Sequence, residues 1–156
     1  MSARPYRSVL YIPGSKERAL EKARTLPVDA IIFDLEDAVA VEEKTNARAL
    51  LAETLSTADY GGRAKIVRVN ALDTEWGHAD VEALKDVGAD ALLLPKVDSA
   101  EDVQALAELA PGVAILALME TPLGILNAAQ IAANPALEGF LLGTTDLAKD
   151  LKTVGR

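Results

Sequence analysis

The acidic residue Glu120 stands between an uninterrupted apolar run and a signal for the start of a helix. Residues 115–119 are all apolar, which is typical of a strand buried on both faces of a parallel sheet. Thr121 can cap a helix through its side-chain oxygen, and Pro122 suits the first helical position because no N–H is needed there. A carboxylate at such a junction lies where α/β enzymes hold their reacting groups.

A second acidic residue, Asp146, follows a later apolar run one strand–helix unit further along the chain. Neighbouring strand ends would hold it beside Glu120. Because Mg²⁺ binds one or two carboxylates and keeps positions for water and substrate oxygens, we predict that these two acids bind it. A structural alternative stays open at this point, in which Glu120 pairs with Lys96 or Arg68 and Asp146 only caps its helix.

Other strand ends carry further polar side chains that would meet at the same edge. They are the acids Asp34, Glu36 and Asp37, the bases Arg68 and Lys96, and the turn Gly143, Thr144 and Thr145. The turn leads into a helix, so its free N–H groups suit a substrate carboxylate, although a plain helix start is the alternative. Arg68 can bind a carboxylate or stabilise an enolate oxygen, or it can pair with Glu36. In the acidic cluster, like charges can raise one pKa and create an acid or base.

Six short apolar strands that alternate with helices must position these side chains. We predict strands over 9–12, 30–33, 65–69, 91–94, 115–119 and 139–142. Such alternation predicts a parallel sheet with right-handed crossovers. No strand is followed by G-x-G-x-x-G or a Walker A pattern, which favours a (β/α)₈ TIM-barrel type of α/β fold over a nucleotide-binding one.

Helix signals lie between the predicted strands. Ser15 is expected to cap the first helix, and the second helix is expected to begin near Glu42. The third helix is predicted over 79–87, with Gly88 as its C-cap. Ser99 and Asp102 are expected to form a capping box for the fourth helix, and the fifth helix is predicted over 122–132. Six strands and five complete helices do not close a barrel, which usually needs about 250 residues. We therefore expect one barrel domain over 1–156 that represents part of a longer barrel protein.

The amino-acid composition excludes several classes of protein and of functional site. The chain has no cysteine, which excludes a disulfide framework and a thiolate nucleophile, and its single histidine, His78, excludes a histidine-based metal site. A net charge of −8 argues against nucleic-acid binding. No run reaches 18 apolar residues and no secretion signal begins the chain, so we expect no membrane span and a cytoplasmic location.

Six motifs in order resemble the citrate lyase β-subunit-like lyases of the phosphoenolpyruvate/pyruvate barrel superfamily. The motifs are R-S-V-L with P-G (7–14), D-L-E-D-A-V (34–39), V-R-V-N (67–70), L-P-K-V (94–97), M-E-T-P (119–122) and G-T-T-D-L-A (143–148). Each is weak alone, but six in the same order along nearly the whole chain are specific.

The resemblance implies a Mg²⁺-dependent lyase that cleaves an acyl-CoA or acyl-carrier thioester into acetyl-CoA and a 2-keto acid such as oxaloacetate, glyoxylate or pyruvate. Glu120 and Asp146 would bind Mg²⁺. Arg68 would contact substrate, supported by Glu36 and Asp37, and the 143–146 turn would bind the carboxylate. Cleavage beside a thioester generates an enolate, which a metal and an arginine stabilise.

Three basic residues near the first loop, Arg7, Lys16 and Arg18, are predicted to meet the phosphates of CoA or else to be surface charge. The resemblance also implies two further strands, a C-terminal segment and a homo-oligomer of the trimer type, in which a neighbouring subunit can supply a catalytic acid. We predict a citryl-, malyl- or citramalyl-CoA lyase. The alternatives are a CoA-independent hydroxy-keto-acid aldolase of the same superfamily and a non-catalytic relative that binds a metabolite.

Overall fold

A six-stranded parallel sheet forms the centre of the computed structural model, which describes residues 6–153. The first five and last three residues of the predicted domain 1–156 lie outside this range. The strands are β1 (Val9–Pro13), β2 (Ala30–Asp34), β3 (Ala64–Arg68), β4 (Ala91–Leu94), β5 (Ala114–Met119) and β6 (Leu137–Leu142). They lie side by side in chain order. The predicted α/β architecture, an incomplete barrel in this chain, is confirmed.

Within residues 6–153, seven α-helices connect or follow the strands. They are α1 (Glu17–Ala23), α2 (Lys44–Thr57, after a 3₁₀ turn at Val41–Glu43), α3 (Gly77–Leu84), α4 (Ala100–Leu109), α5 (Pro122–Leu126), α6 (Ala128–Ala132) and α7 (Thr144–Asp150). The capping box of Ser99 and Asp102 is confirmed, and so is the cap of α5 by Thr121. These caps could be predicted because a side-chain oxygen three residues before a free N–H is a local feature.

Three local predictions were wrong. Ser15 does not cap α1: the cap position is Lys16, and no side chain there accepts a hydrogen bond. The predicted fifth helix is divided at Asn127 into α5 and α6, where the Asn127 side chain donates to the carbonyl of Asp98. The third helix ends at Leu84 rather than at Gly88, although Gly88 does adopt the left-handed conformation that favours glycine (φ +84°).

The four middle strands, β2 to β5, are largely buried on both faces, as their continuous apolar runs predict, whereas the edge strands β1 and β6 carry exposed apolar side chains. On one face, side chains such as Ile31, Phe33 and Leu92 pack against the helices. On the other, Ile32, Ile66 and Leu93 form a smaller cluster of their own. The register places Asp34 directly beside Arg68 at the carboxyl ends of β2 and β3. Within 6–153, no helix is both long and apolar enough to cross a membrane.

Candidate active site at the carboxyl edge of the sheet

Arg68 is fixed at the end of β3 by Asp34 at the end of β2. Its Nε and Nη2 atoms donate to the two carboxylate oxygens of Asp34 at 2.8 and 2.5 Å. The Tyr11 ring covers the guanidinium, with its centroid 5.3 Å from Cζ. This two-point contact uses one edge of the guanidinium and turns Nη1 toward the neighbouring acids.

Glu36 lies between Arg68 and Lys96. Its Oε2 is 3.0 Å from Arg68 Nη1, and its Oε1 accepts a hydrogen bond from Lys96 Nζ. Burial raises the pKa of Glu36, and the two cations oppose that rise. Oε2 is buried and has no aligned hydrogen-bond donor. Asp37 is half exposed and lies 3.7 Å from Arg68 Nη1 and 4.0 Å from Lys96 Nζ, so it is the carboxylate of this group that reaches solvent.

Lys96 joins this cluster to Glu120. It has a left-handed backbone conformation (φ +52°), which is unusual for a residue with a side chain. Its backbone N–H donates to Glu120 Oε1 at 2.9 Å while its ammonium reaches Glu36. Lys96 therefore contacts both Glu36 and Glu120. Its contact with Glu120, which was the structural alternative to metal binding, is made by the backbone N–H and not by the ammonium.

Glu120 is buried at the end of β5, and its pKa is raised to about 7. Burial is the largest cause, and the negative charges of Glu36 and Asp146 add to it. Gly143 leaves the space that its carboxylate occupies, because a Cβ at Gly143 would lie 2.7 Å from Glu120 Oε2. Asp146 is in the first turn of α7 and is partly buried.

The donor set fits a divalent cation. Five carboxylates lie at this edge, from Asp34, Glu36, Asp37, Glu120 and Asp146. The cations Arg68 and Lys96 form ion pairs with the first three of them. Within 6–153 no three Asp, Glu or His side chains are arranged to hold a metal between them. Two carboxylates completed by water and substrate oxygens are what Mg²⁺ accepts. Glu120 and Asp146 are the pair whose negative charge lacks an ion-pair partner in this part of the chain.

The predicted anion-binding turn begins α7. Gly143 N–H donates to the carbonyl of Met119 at 3.0 Å, so it is already used. Thr144 and Thr145 are exposed first-turn residues, and no side chain caps this helix. The turn therefore lies beside Glu120. Because the Gly143 N–H is already bonded, the N–H groups of Thr144 and Thr145 are the ones in this turn that a ligand could use.

The three basic residues predicted to meet CoA do not lie together. Lys16 and Arg18 follow β1 at the carboxyl edge, and Lys16 Nζ is 3.4 Å from Glu43. Arg7 precedes β1, where its amide donates to Asp29 before β2. Its position near the first loop was predicted wrongly, because β1 spans about 3.3 Å per residue and separates Arg7 from that loop. His78 is exposed.

Asp34 was predicted as a member of the acidic cluster, but its role in holding Arg68 was not predicted. Tyr11, Lys44 and Asp80 were absent from the predicted set: the Tyr11 ring stacks on Arg68, and Lys44 and Asp80 join Asn70 in a buried polar network behind the acidic loop. The register of neighbouring strands would have identified Asp34 as the partner of Arg68, since it ends β2 as Arg68 ends β3. Lys44 lies on a helix and gave no signal in the pattern of strand ends.

The comparisons with known proteins agree with this geometry. The model of the HpcH/HpaI aldolase/citrate lyase family matches residues 7–156. The chain belongs to this family. The resemblance inferred from the six motifs is confirmed, and the family's members include enzymes that act on CoA-linked substrates.

Three similar proteins define the likeness further. The (3S)-malyl-CoA thioesterase of Cereibacter sphaeroides is 66% identical over 149 residues, covering 96% of this chain and 52% of the relative. Citrate lyase subunit beta of Escherichia coli K12 is 40% identical over 162 residues, covering 96% and 54%. The crystal structure of CitE from Mycobacterium tuberculosis in complex with magnesium, acetoacetate and coenzyme A is 35% identical, with a TM-score of 0.80, covering 94% and 52%.

The chain spans about half the length of the curated relatives that it matches. The name of the first relative specifies thioester hydrolysis rather than carbon–carbon cleavage. Binding of magnesium and CoA is therefore supported within the family, while the bond that this protein breaks is a separate question.

Proposed function

We propose that the protein is a Mg²⁺-dependent enzyme acting on a malyl-CoA-type substrate, a 3-hydroxyacyl thioester whose acyl group ends in a carboxylate. One observation carries the proposal: a continuous chain of contacts runs from Arg68 through Glu36 and Lys96 to Glu120. This chain of contacts links the fixed guanidinium of Arg68 to the carboxylate pair Glu120 and Asp146, which has no cation as an ion-pair partner within residues 6–153. The identity of 66% to a malyl-CoA thioesterase supports the substrate class.

The hydroxy-acid end of the substrate would occupy this part of the site. Glu120 and Asp146 would hold Mg²⁺, which when bound supplies a Lewis acid for the substrate's hydroxyl and carboxylate oxygens. Asp34 occupies Nε and one Nη2 hydrogen of Arg68, and Nη1 faces Glu36 and Asp37, so the second Nη2 hydrogen is the one left for the ligand. The backbone N–H groups of Thr144 and Thr145, in the first turn of α7, would bind the carboxylate.

Thioester hydrolysis is the first candidate reaction, because the relative with 66% identity is named for it. Water adds to the thioester carbonyl carbon, the carbon–sulfur bond breaks, and malate and the CoA thiol leave. Asp37 is the acid assigned to accept the proton of the attacking water, since its carboxylate reaches solvent. Glu36 holds Arg68 and Lys96 in position.

Carbon–carbon cleavage is the second candidate, and the fixed guanidinium beside the metal pair favours it. A proton leaves the 3-hydroxyl, the bond between C2 and C3 breaks, and glyoxylate separates from the acetyl-CoA enolate, which then takes up a proton. Citryl- and citramalyl-CoA would give oxaloacetate and pyruvate in the same way. Arg68 and the metal site would stabilise the oxygen charges, and the likeness to a citrate lyase subunit supports this candidate.

The deciding experiment incubates the purified protein, with its intact mass measured, with (3S)-malyl-CoA in Mg²⁺ or in EDTA. Free thiol and glyoxylate are followed separately. Thiol without glyoxylate means hydrolysis, and glyoxylate without thiol means carbon–carbon cleavage. Either product should disappear in EDTA. Turnover that persists in EDTA, or cleavage of neither bond in this thioester and in its citryl and citramalyl analogues, would contradict the proposal.

Two rivals make different predictions in the same assay. A hydroxy-keto-acid aldolase would join glyoxylate or another aldehyde to pyruvate without CoA. A non-catalytic relative would bind the thioester and convert nothing. A cytoplasmic location and a trimeric homo-oligomer stay predictions, and light scattering of the purified protein measures the second.

A further inference from the structure

Lys44 is a buried cation that contacts the loop carrying the acids of the site, the Asn70 side chain and the Trp76 ring. It is the first residue of α2 and is 6% exposed. Its ammonium donates to the carbonyls of Leu35 and Glu36, both at 2.9 Å, and to Asn70 Oδ1 at 2.6 Å. Three acceptors satisfy all three N–H groups of the ammonium.

A second layer of buried groups supports the same loop. Asn70 Nδ2 donates to the Leu35 carbonyl at 3.0 Å and to Asp80 Oδ2 at 2.6 Å. Asp80 is in turn paired with Arg48 at 2.7 Å. The carbonyls of Leu35 and Glu36 therefore cannot turn away without leaving buried donors unpaired, which is costly.

Packing alone does not explain a lysine at this position. Burial disfavours the charged ammonium and lowers the pKa of Lys44. A cation in the first turn of a helix is also disfavoured by the helix dipole. An apolar side chain of similar length would fill the same space without either cost. The ammonium adds three hydrogen bonds to the loop and to Asn70, together with a cation–π contact with the Trp76 ring, whose centroid lies 5.2 Å from Nζ.

We propose that Lys44 is a positioning residue for the reaction: it fixes the backbone at Leu35 and Glu36 so that Glu36 keeps Arg68 and Lys96 in register. The inference rests on the proposed function for its effect on turnover. Its effect on the loop itself follows from the contacts alone.

The test compares Lys44→Met with Lys85→Met, a lysine at the end of α3 whose ion pair with exposed Glu82 lies away from the site. Amide hydrogen exchange is measured without substrate, at the amides of Glu36 and Ala38, which donate to Asp34. Lys44→Met should speed exchange at both amides, and the control should not. This readout does not require that the protein be active.

Turnover is then measured on the thioester. Misplacement of a reacting group by about 1 Å costs about 10²-fold, so kcat of Lys44→Met should fall by about that factor while KM changes by less than about threefold. The double variant with Glu36→Gln should be no slower than Glu36→Gln alone, because Lys44 acts through Glu36. Independent structural damage would instead multiply the two losses.

Each outcome supports or contradicts either the proposed function or the positioning role of Lys44. An inactive parent protein would end the proposed function, while the exchange data would still judge Lys44. Unchanged exchange in the loop, kcat within about twofold of the parent, or multiplying losses in the double variant would overturn the positioning role. If Lys44→Met does not fold, Lys44→Gln replaces it. Failure of both to fold would mean that Lys44 supports the core rather than the loop, which also contradicts the proposal.

Discussion

The two halves of the candidate site balance their charges differently. In the half at the ends of β2 and β3, each buried acid has a cation: Asp34 binds Arg68 at two points, and Glu36 lies between Arg68 and Lys96. In the half at the ends of β5 and β6, Glu120 receives one backbone hydrogen bond and is near the like charge of Asp146.

This difference separates what the chain supplies from what a ligand must supply. A buried ion pair that loses one partner leaves an uncompensated charge, which costs about 3–5 kcal/mol, so the first half should depend on its own residues for stability. The second half carries unbalanced negative charge, which a divalent cation would neutralise. Substitutions in the first half should therefore affect folding and activity together, and those in the second should affect mainly metal binding and activity.

The largest effect is expected from Glu120→Gln, which removes one predicted metal ligand without changing the shape of the side chain. Turnover should fall by about 10³-fold or more and Mg²⁺ binding, measured by calorimetry, should be lost. The free energy of unfolding should change by less than about 1 kcal/mol, because the variant removes a charge that is costly to bury. Glu101→Gln, at an exposed acid of α4, is the control. Wild-type turnover of Glu120→Gln would refute the metal assignment.

Arg68→Lys should have the next largest effect and should also destabilise the protein. An ammonium cannot make the two-point contact with Asp34 and still reach Glu36, so one buried acid loses its partner. We expect kcat/KM to fall by about 10²-fold and the free energy of unfolding, measured in urea, to fall by about 2–3 kcal/mol. If Arg68→Lys left stability unchanged while Glu120→Gln reduced it, the comparison between the two halves would be reversed.

Gly143→Ala should have an intermediate effect that is confined to the second half. The new methyl group would lie 2.7 Å from both Cβ and Oε2 of Glu120, so the Glu120 side chain or the turn at Gly143 must shift from its position. Mg²⁺ affinity should fall by about tenfold, with a smaller change in stability. Gly139→Ala, on the strand β6 that precedes Gly143, is the matched control, because its methyl group would make an ordinary 3.6 Å contact with Leu116. Equal metal affinity of the two variants would contradict this account.

The sequence predicted which residues meet at the carboxyl edge of the sheet, but it did not predict how they pair across neighbouring strands. Apolar runs that end in a polar residue located all six strands, and parallel strands bring their carboxyl ends to one edge, so Glu120, Arg68 and Lys96 could be grouped without a structure. Pairing across strands depends on register, which a one-dimensional pattern does not show. For that reason the Arg68 partner was predicted as Glu36, while the structure adds Asp34 as its two-point partner.

Long-range contacts explain the remaining differences. The bond from Asn127 to the Asp98 carbonyl accompanies the division of the fifth helix, and it joins residues 29 positions apart. In the sequence, Lys44 cannot be distinguished from a solvated lysine on a helix surface. In the structure, the loop and Asn70 bury it. Arg7 was grouped with Lys16 because they are close in sequence, although a strand separates them in space.

The smallest effects are expected at Lys16 and Arg18, the two basic residues left at the carboxyl edge as candidates for the CoA phosphates. An exposed charge pair is worth about 0.2–1 kcal/mol, so neutralising each one should raise KM for a CoA thioester by about two- to fivefold and leave kcat unchanged. The rise should shrink as salt is added, because exposed charges are screened. Arg7→Met is the control: it removes an exposed positive charge from the opposite edge of the sheet and should leave KM unchanged. If Arg7→Met raised KM as much as Lys16→Met, general attraction of the CoA anion would explain the result, and neither residue would contact its phosphates.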